Sequence, residues 1–485
     1  MARIVELTRS GEATAAGAEP VQRAAEALGF LCLKPPIKDR VARNAPLLGA
    51  LFRFAQAAAD APALRFAAIM LVRNLVQPRA ALTEEQRRMR QLQRLSSGDA
   101  PAEDGAQEDA GDSAESVAAR CALVCQAGGC LGLLAAAVQP AARPSEGLRD
   151  AVADTFLALA AVPALRGLLV QQGGVRCLLR HLLTADAPKA QAAKALPSAL
   201  LQGRDRRVAF ALAKIAISVP PHLAFDDPRE IARLLLALLA EESDAQALLM
   251  RFEALLALTN LASAPPGSSH DVRGYLANDL DGISLVELVL LSDHVLVRRA
   301  ATELVCNLVY NEAVFERFAK GADAHVPADE FTPGIVELPS DAEGEGDGEG
   351  DGASSDGAGY RSQRLHLLVA LADVDDAATR SAAAGALAVL TSDPRCCRYL
   401  FLVHPRAGDV VLGLLAVEDG VGDKEAAAFR HRVAVIWANA ASCGDRSVVA
   451  RLGADDGVVA ALKEMTADAK MPYYAAAKSA LDQLF

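Results

Sequence analysis

Apolar residues recur three and four positions apart along most of this chain, the spacing that lays one stripe down the side of an α-helix. One such stripe comes back with little change: RFEALLALTNLAS from Arg251, RRAATELVCNLVYN from Arg298, RSAAAGALAVLTSD from Arg380 and RHRVAVIWANAAS from Arg430. A more distant copy, RFAAIMLVRNLVQ, starts at Arg65. In each, the arginine stands nine residues before the position held by Asn74, Asn260, Asn307, Val389 or Asn439. The last four arginines are spaced by 47, 82 and 50 residues, and the middle interval returns to about 47 once an insert of some 35 residues, roughly Asp323 to Gly357, is set aside. A repeat of roughly 40 to 47 residues built from two or three helices is the armadillo or HEAT type. The pattern therefore predicts an all-α fold, a right-handed α-solenoid of about ten such repeats with one concave wall. Looser copies begin at Arg149 and Arg206, and Pro220, Pro221 and the run from Pro265 to Gly267 mark turns.

The helical angle then sorts the side chains. At roughly 100° per residue, Asn307 shares a face with Ala300, Glu303, Leu304, Tyr310 and Asn311, while Ala301, Val305 and Leu308 turn into the core. The same reckoning groups Asn260 with Glu253, Leu256 and Ser263, and Asn439 with Arg432, Val435, Ser442 and Cys443. Leu256, Leu261, Val305 and Leu308 are expected core positions. An amide recurring in the last helix of successive units forms a ladder along one wall. It can bond an extended main chain laid there, or the backbone of the neighbouring repeat. The candidate partner-binding set is Glu253, Asn260, Glu303, Asn307, Tyr310, Asn311, Arg432 and Asn439.

Composition strengthens the helical reading. Alanine supplies 101 of the 485 residues and aromatic residues only 4%, which disfavours a β-sandwich, barrel or propeller. No apolar run reaches the roughly 18 residues of a membrane span, and Met1 to Gly17 lacks the pattern of a secretory signal, so a soluble, cytoplasmic protein is expected. The formal charge is -12, but seven acids lie between Gly98 and Glu115 and seven between Asp341 and Tyr360, with no Lys or Arg in either stretch. Removing those fourteen leaves 47 acids against 49 bases, so the body is close to neutral and offers nucleic acid no basic stripe. Both stretches are rich in Gly, Ala and Ser, the composition of disorder. The expected organisation is thus armadillo-like repeats over 1–97, an acidic disordered loop over 98–117, and a second repeat region over 118–485 that carries a disordered insert at about 323–360. Nine cysteines sit inside apolar helical patterns, as small buried hydrophobes in a reducing compartment would.

Several longer stretches go beyond a generic repeat. LAFDDPREIARLLLALLAEES after Pro221, HVLVRRAATELVCNLVYNEAVFERF, RLHLLVALADVDDAATRSAAAGALAVLTSD and FRHRVAVIWANAAS resemble the UCS domain of the myosin-directed chaperones, the UNC, Cro and She proteins of animals and fungi. The resemblance covers roughly residues 118 to 485 and runs more loosely upstream, through ALTEEQRRMRQL at Ala81. It implies a non-enzymatic chaperone and co-chaperone that holds the myosin motor domain along the wall of its last repeats. Animal members begin with a tetratricopeptide domain that docks a heat-shock chaperone. Nothing before Val21 is long enough for one, so the fungal type is the expected match, and heat-shock docking through that domain is not expected.

Motifs for chemistry are absent from the sequence: no Walker-type loop, zincin helix or nucleophile elbow occurs, and no catalytic residue or cofactor is expected. The tract from Asp347 opens like a calcium loop but places Ala358 where a bidentate Glu is required. Cys121, Cys125 and Cys130 have no nearby His and read as helix packing rather than a metal site. The competing function is an armadillo adaptor or transport receptor for another extended peptide. Import receptors of this type pair each asparagine with a tryptophan one turn earlier, whereas Trp437 lies two residues before Asn439, on another side of the helix.

Overall fold

The computed structural model describes residues 5–6, 8, 15–58, 60–78, 112–183, 201, 203–240, 245–263, 271–279, 282–320, 363–416 and 423–485. Every regular element among the described residues is a helix. The chain divides into two compact units, Met1–His270 and Asp271–Phe485. Each is an all-α solenoid of armadillo-like repeats, in which one long helix per repeat packs on the long helix of the next. In the first unit these are α1 (Ala15–Leu31), α2 (Pro62–Val76), α3 (Glu146–Ala160), α4 (Gly203–Ser218) and α5 (Ala245–Ala262). In the second they are α6 (Val295–Leu308), α7 (Ala377–Leu390), α8 (Asp423–Ala441) and α9 (Tyr474–Leu484). Shorter helices pack against them.

Helix starts follow from capping chemistry. The Asp227, Asp271 and Asp393 carboxylates each accept the backbone N–H of the residue two further on, which is Arg229, Arg273 and Arg395, and so begin the helices Pro228–Leu239, Val272–Gly274 and Pro394–Arg398. Proline occupies the first turn of the first and third, where its missing N–H is no loss. Gly129 joins Ala114–Gln126 to Cys130–Ala137 at φ +83°, a left-handed conformation that a side chain would strain.

The expected core is largely found. Leu261, Val305 and Leu308 are fully buried, but Leu256 is only half-buried, because it lies on the asparagine face of α5. Conversely Ala300 and Leu304, expected on the open face of α6, are fully buried. The reason is that α6 is packed on both flanks, by α7 and by the helix Gly282–Leu290, which narrows its open strip to Glu303, Cys306, Asn307 and Tyr310. All nine cysteines carry free thiols and six are buried; burial pushes Cys32 up to about 11 and Cys121 up to about 12, the behaviour of an inert apolar filler.

The acidic stretch expected over 98–117 needs a correction at its end. Ser113 caps Ala114–Gln126, and half-buried Asp112 is an ion-pair partner of two buried cations, 2.6 Å from the Arg120 guanidinium and 3.2 Å from Lys38 Nζ. Arg120 Nε and Lys38 Nζ also donate to the Leu75 and Gln77 carbonyls at the end of α2. There the cations satisfy helix-terminal acceptors, and Asp112 balances them. The helices flanking the acidic stretch, α2 and Ala114–Gln126, pack together within the first unit. Residues 98–111, and the whole of the insert over 323–360, lie outside the described residues.

Candidate functional site

Three of the repeat asparagines, Asn74, Asn260 and Asn439, reach from their long helix to the end of the previous repeat's long helix. Asn74 Nδ2 donates to the Gly29 carbonyl at 3.0 Å, across α2 and α1. Asn260 Nδ2 donates to the Ala216 and Val219 carbonyls at 2.6 and 3.3 Å, and Asn439 Nδ2 donates to the Ala388 carbonyl at 3.0 Å and Thr391 Oγ1 at 3.1 Å. Gly29, Ala216 and Ala388 all lie in the last turn of the preceding long helix, where carbonyls have no partner within their own helix. The asparagine therefore caps the helix before it. Of the two roles open to these amides, the one between repeats is occupied by the donors of Asn74, Asn260 and Asn439. Their Oδ1 atoms accept no hydrogen bond among the described residues.

The other candidate residues are placed as follows. Glu253 on α5 is paired with Lys214 on α4 at 2.7 Å, and the same ammonium lies 4.2 Å from the Phe210 ring centroid. Asn311 spends its Oδ1 on the N–H groups of Ala313 and Val314, capping Glu312–Ala319. Tyr310 is 62% exposed at the end of α6. Asn307 is half-buried at the repeat position of α6. Arg432 on α8 donates to the carbonyl and the hydroxyl of Ser381 on α7. Glu303 is half-buried, and burial raises its carboxyl above the usual range, with Arg299 opposing the rise and Asp376 adding to it. Thus Glu303, Asn307, Tyr310, Asn311, Arg432 and Asn439 belong to the second unit, and Glu253 and Asn260 to the first.

Charge pairing across repeats is the feature that sequence reasoning missed. In the first unit Asp154 on α3 bridges Arg73 on α2 at 2.8 Å and Arg207 on α4 at 2.9 Å; Arg207 also reaches Asp150 at 2.8 Å, and Arg204 reaches Glu146 at 2.5 Å. The signal was present in the four-residue spacing of Glu146, Asp150 and Asp154, which puts three acids in a row on one helix face. In the second unit Arg299 on α6 makes a two-pronged pair with Asp376, which caps α7, and its guanidinium holds the Asp376 carboxyl down to about 2. Helices approach closely at Gly385 on α7: a Cβ would stand 2.7 Å from Cys306 Sγ and 3.5 Å from the Arg432 guanidinium. Trp437 is fully buried, so it takes no part in a surface ladder with Asn439. Among the described residues no single helix is long and apolar enough to cross a membrane.

No family model matches the chain. It is 29% identical over 375 residues to protein unc-45 homolog B of Mus musculus, covering 76% of this chain and 32% of that one. To ring assembly protein 3 of Schizosaccharomyces pombe it is 30% identical over 227 residues, 46% of this chain and 25% of that one. Among solved structures, She4p superposes with a TM-score of 0.66 at 17% identity, over 96% of this chain and 54% of that one. UNC-45 from C. elegans, described as a myosin chaperone in complex with an Hsp90 peptide, gives 0.65 at 20% identity, over 96% and 42%. The chain spans about a third of the length of the unc-45 homolog B it matches.

Proposed function

The chain belongs to the UCS-domain family of UNC-45 and She4p, and from that premise we propose that it is a non-enzymatic chaperone and co-chaperone of myosin that works in the cytoplasm. The observation that supports this reading is the sequence match to unc-45 homolog B, which runs over three quarters of the chain rather than over one repeat. A solenoid suits such a role because a long face of ordered side chains can hold an extended segment of a partly folded protein without enclosing it. We place the client, a myosin motor domain, along that face. Glu303, Tyr310 and the Oδ1 atoms of Asn260 and Asn439 are the candidate residues with capacity to spare; Glu253 and Arg432 act mainly by holding the stack, and Asn311 by capping Glu312–Ala319. Heat-shock chaperones are proposed as the second partner, by analogy with the UNC-45 complex.

The competing reading, an adaptor or transport receptor for another extended segment, lacks the surface tryptophans it needs. A purified myosin motor domain, warmed until it aggregates, tests the proposal by light scattering. Equimolar protein should suppress the scattering and co-elute with the motor domain in size exclusion. Full aggregation in its presence, with no co-elution, would exclude the chaperone reading.

A further inference from the structure

We propose that Glu303 is the docking point for a lysine or arginine side chain of the client segment, an inference that rests on the chaperone reading above. Half-buried acids on the long helices are otherwise compensated inside the stack: Asp150 and Asp154 pair with Arg207, and Glu253 pairs with Lys214. Glu303 has no hydrogen bond and no ion pair among the described residues, although it is buried enough for its charged form to be penalised. The bases around it are committed elsewhere. Arg299, one turn earlier, has both prongs on Asp376, and Arg432, across Gly385, is held by Ser381.

Comparison with the equivalent position in the other repeats sets this residue apart. Four residues before the repeat asparagine position, the copies from Arg65, Arg251, Arg380 and Arg430 carry the uncharged Met70, Leu256, Gly385 and Val435, while the looser copy from Arg149 carries Asp154, which pairs with Arg73 and Arg207 inside the stack. Asp154 has its ion pairs inside the stack, whereas Glu303 has none among the described residues and feels Arg299 only through its charge. A cation supplied from outside the stack completes the pair. The surroundings suit a long basic side chain: half-buried Cys306, three residues further along α6, offers apolar surface to its methylene stem, and the acid receives its head. Charge complementarity therefore selects a Lys- or Arg-bearing segment over an acidic or purely apolar one.

The test is binding of a purified myosin motor domain to the whole chain, wild type against Glu303→Gln and Glu303→Lys, at two salt concentrations, with thermal melting of each variant measured alongside. The Gln variant should bind about ten-fold more weakly or worse and with a shallower salt dependence, and the Lys variant should lose more. The Gln variant should melt no lower than wild type, because no hydrogen bond or ion pair in the stack is lost. Wild-type binding that the Gln and Lys changes leave untouched overturns the contact and leaves the chaperone reading standing. A drop in melting temperature on Gln substitution overturns the contact in favour of a structural role. Failure of the wild type to bind the motor domain overturns both readings.

Discussion

An asparagine amide carries two N–H donors and one carbonyl, and in Asn260 and Asn439 both donors are spent on the end of the preceding repeat. From the sequence the same amide could equally grip a client main chain, because residue type and helical angle are identical in the two roles. What separates them is the offset between neighbouring helices, which places the last turn of one beneath the ninth position of the next. The consequence is measurable. Asn260→Ala leaves the Ala216 and Val219 carbonyls without a protein donor and should lower stability by about 1 to 3 kcal/mol in urea denaturation. Asn439→Ala should behave alike through Ala388 and Thr391. A cost below roughly 0.5 kcal/mol for both, with client binding abolished, would return the amides to a binding role.

At the scale of the element, the Asp-x-Arg clamp begins three of the short helices. In each the carboxylate takes the N–H of the arginine and then the guanidinium of that same arginine, at 2.8 Å from Arg229, 3.4 Å from Arg273 and 2.6 Å from Arg395. Asp393→Ala removes both bonds and should cost about 1 to 2 kcal/mol, read from the melting midpoint; Arg395 keeps Glu316 at 3.0 Å, so the ion pair is diverted rather than lost. An unchanged midpoint would show that Pro394 alone suffices to start the helix. The clamp is legible as DPR in LAFDDPREI and in TSDPRCCR, yet periodicity points to apolar positions and away from it. That same periodicity located the long helices well: α5, α6, α7 and α8 all contain the repeat motif traced in the sequence. It could not tell which flank of α6 stays open, since Ala300 and Ala301 look alike until the helix Gly282–Leu290 is known to cover one side. Nor could it find the pairs of Asp154 with Arg73 and Arg207, which join residues 81 and 53 positions apart.

For the molecule as a whole, pH dependence on the acid side follows from groups that the second unit holds out of their usual range. His366 Nδ1 and His404 Nε2 lie 2.8 Å apart with their rings stacked, and the Arg406 backbone N–H donates to His404 Nδ1 at 3.2 Å. With Nδ1 accepting, the His404 proton sits on Nε2 and is donated to His366. One further proton on the neutral pair must break one of these bonds. Burial, the facing His366 and the Arg406 charge together hold His404 down to about 4, and burial also lowers His366. Tyr399 meets the His404 ring edge-on and the Arg406 guanidinium pairs with Asp373. A histidine whose folded value lies below its unfolded one, near 6.5, binds fewer protons folded than unfolded between the two. Its contribution is therefore complete above about 6.5 and is lost as pH falls towards 4. Asp376, held near 2 against an ordinary 3.8, adds a second loss as pH falls below about 4. Urea denaturation should accordingly give a nearly constant stability at pH 7 to 8, a decline from about 6.5 to 4, and a steeper one below. His404→Gln should flatten the first decline and leave the second, whereas Asp376→Asn should lower stability at pH 7 and flatten the second. If His404→Gln kept the full slope between pH 6.5 and 4, the histidine pair would not be what the chain loses on mild acidification.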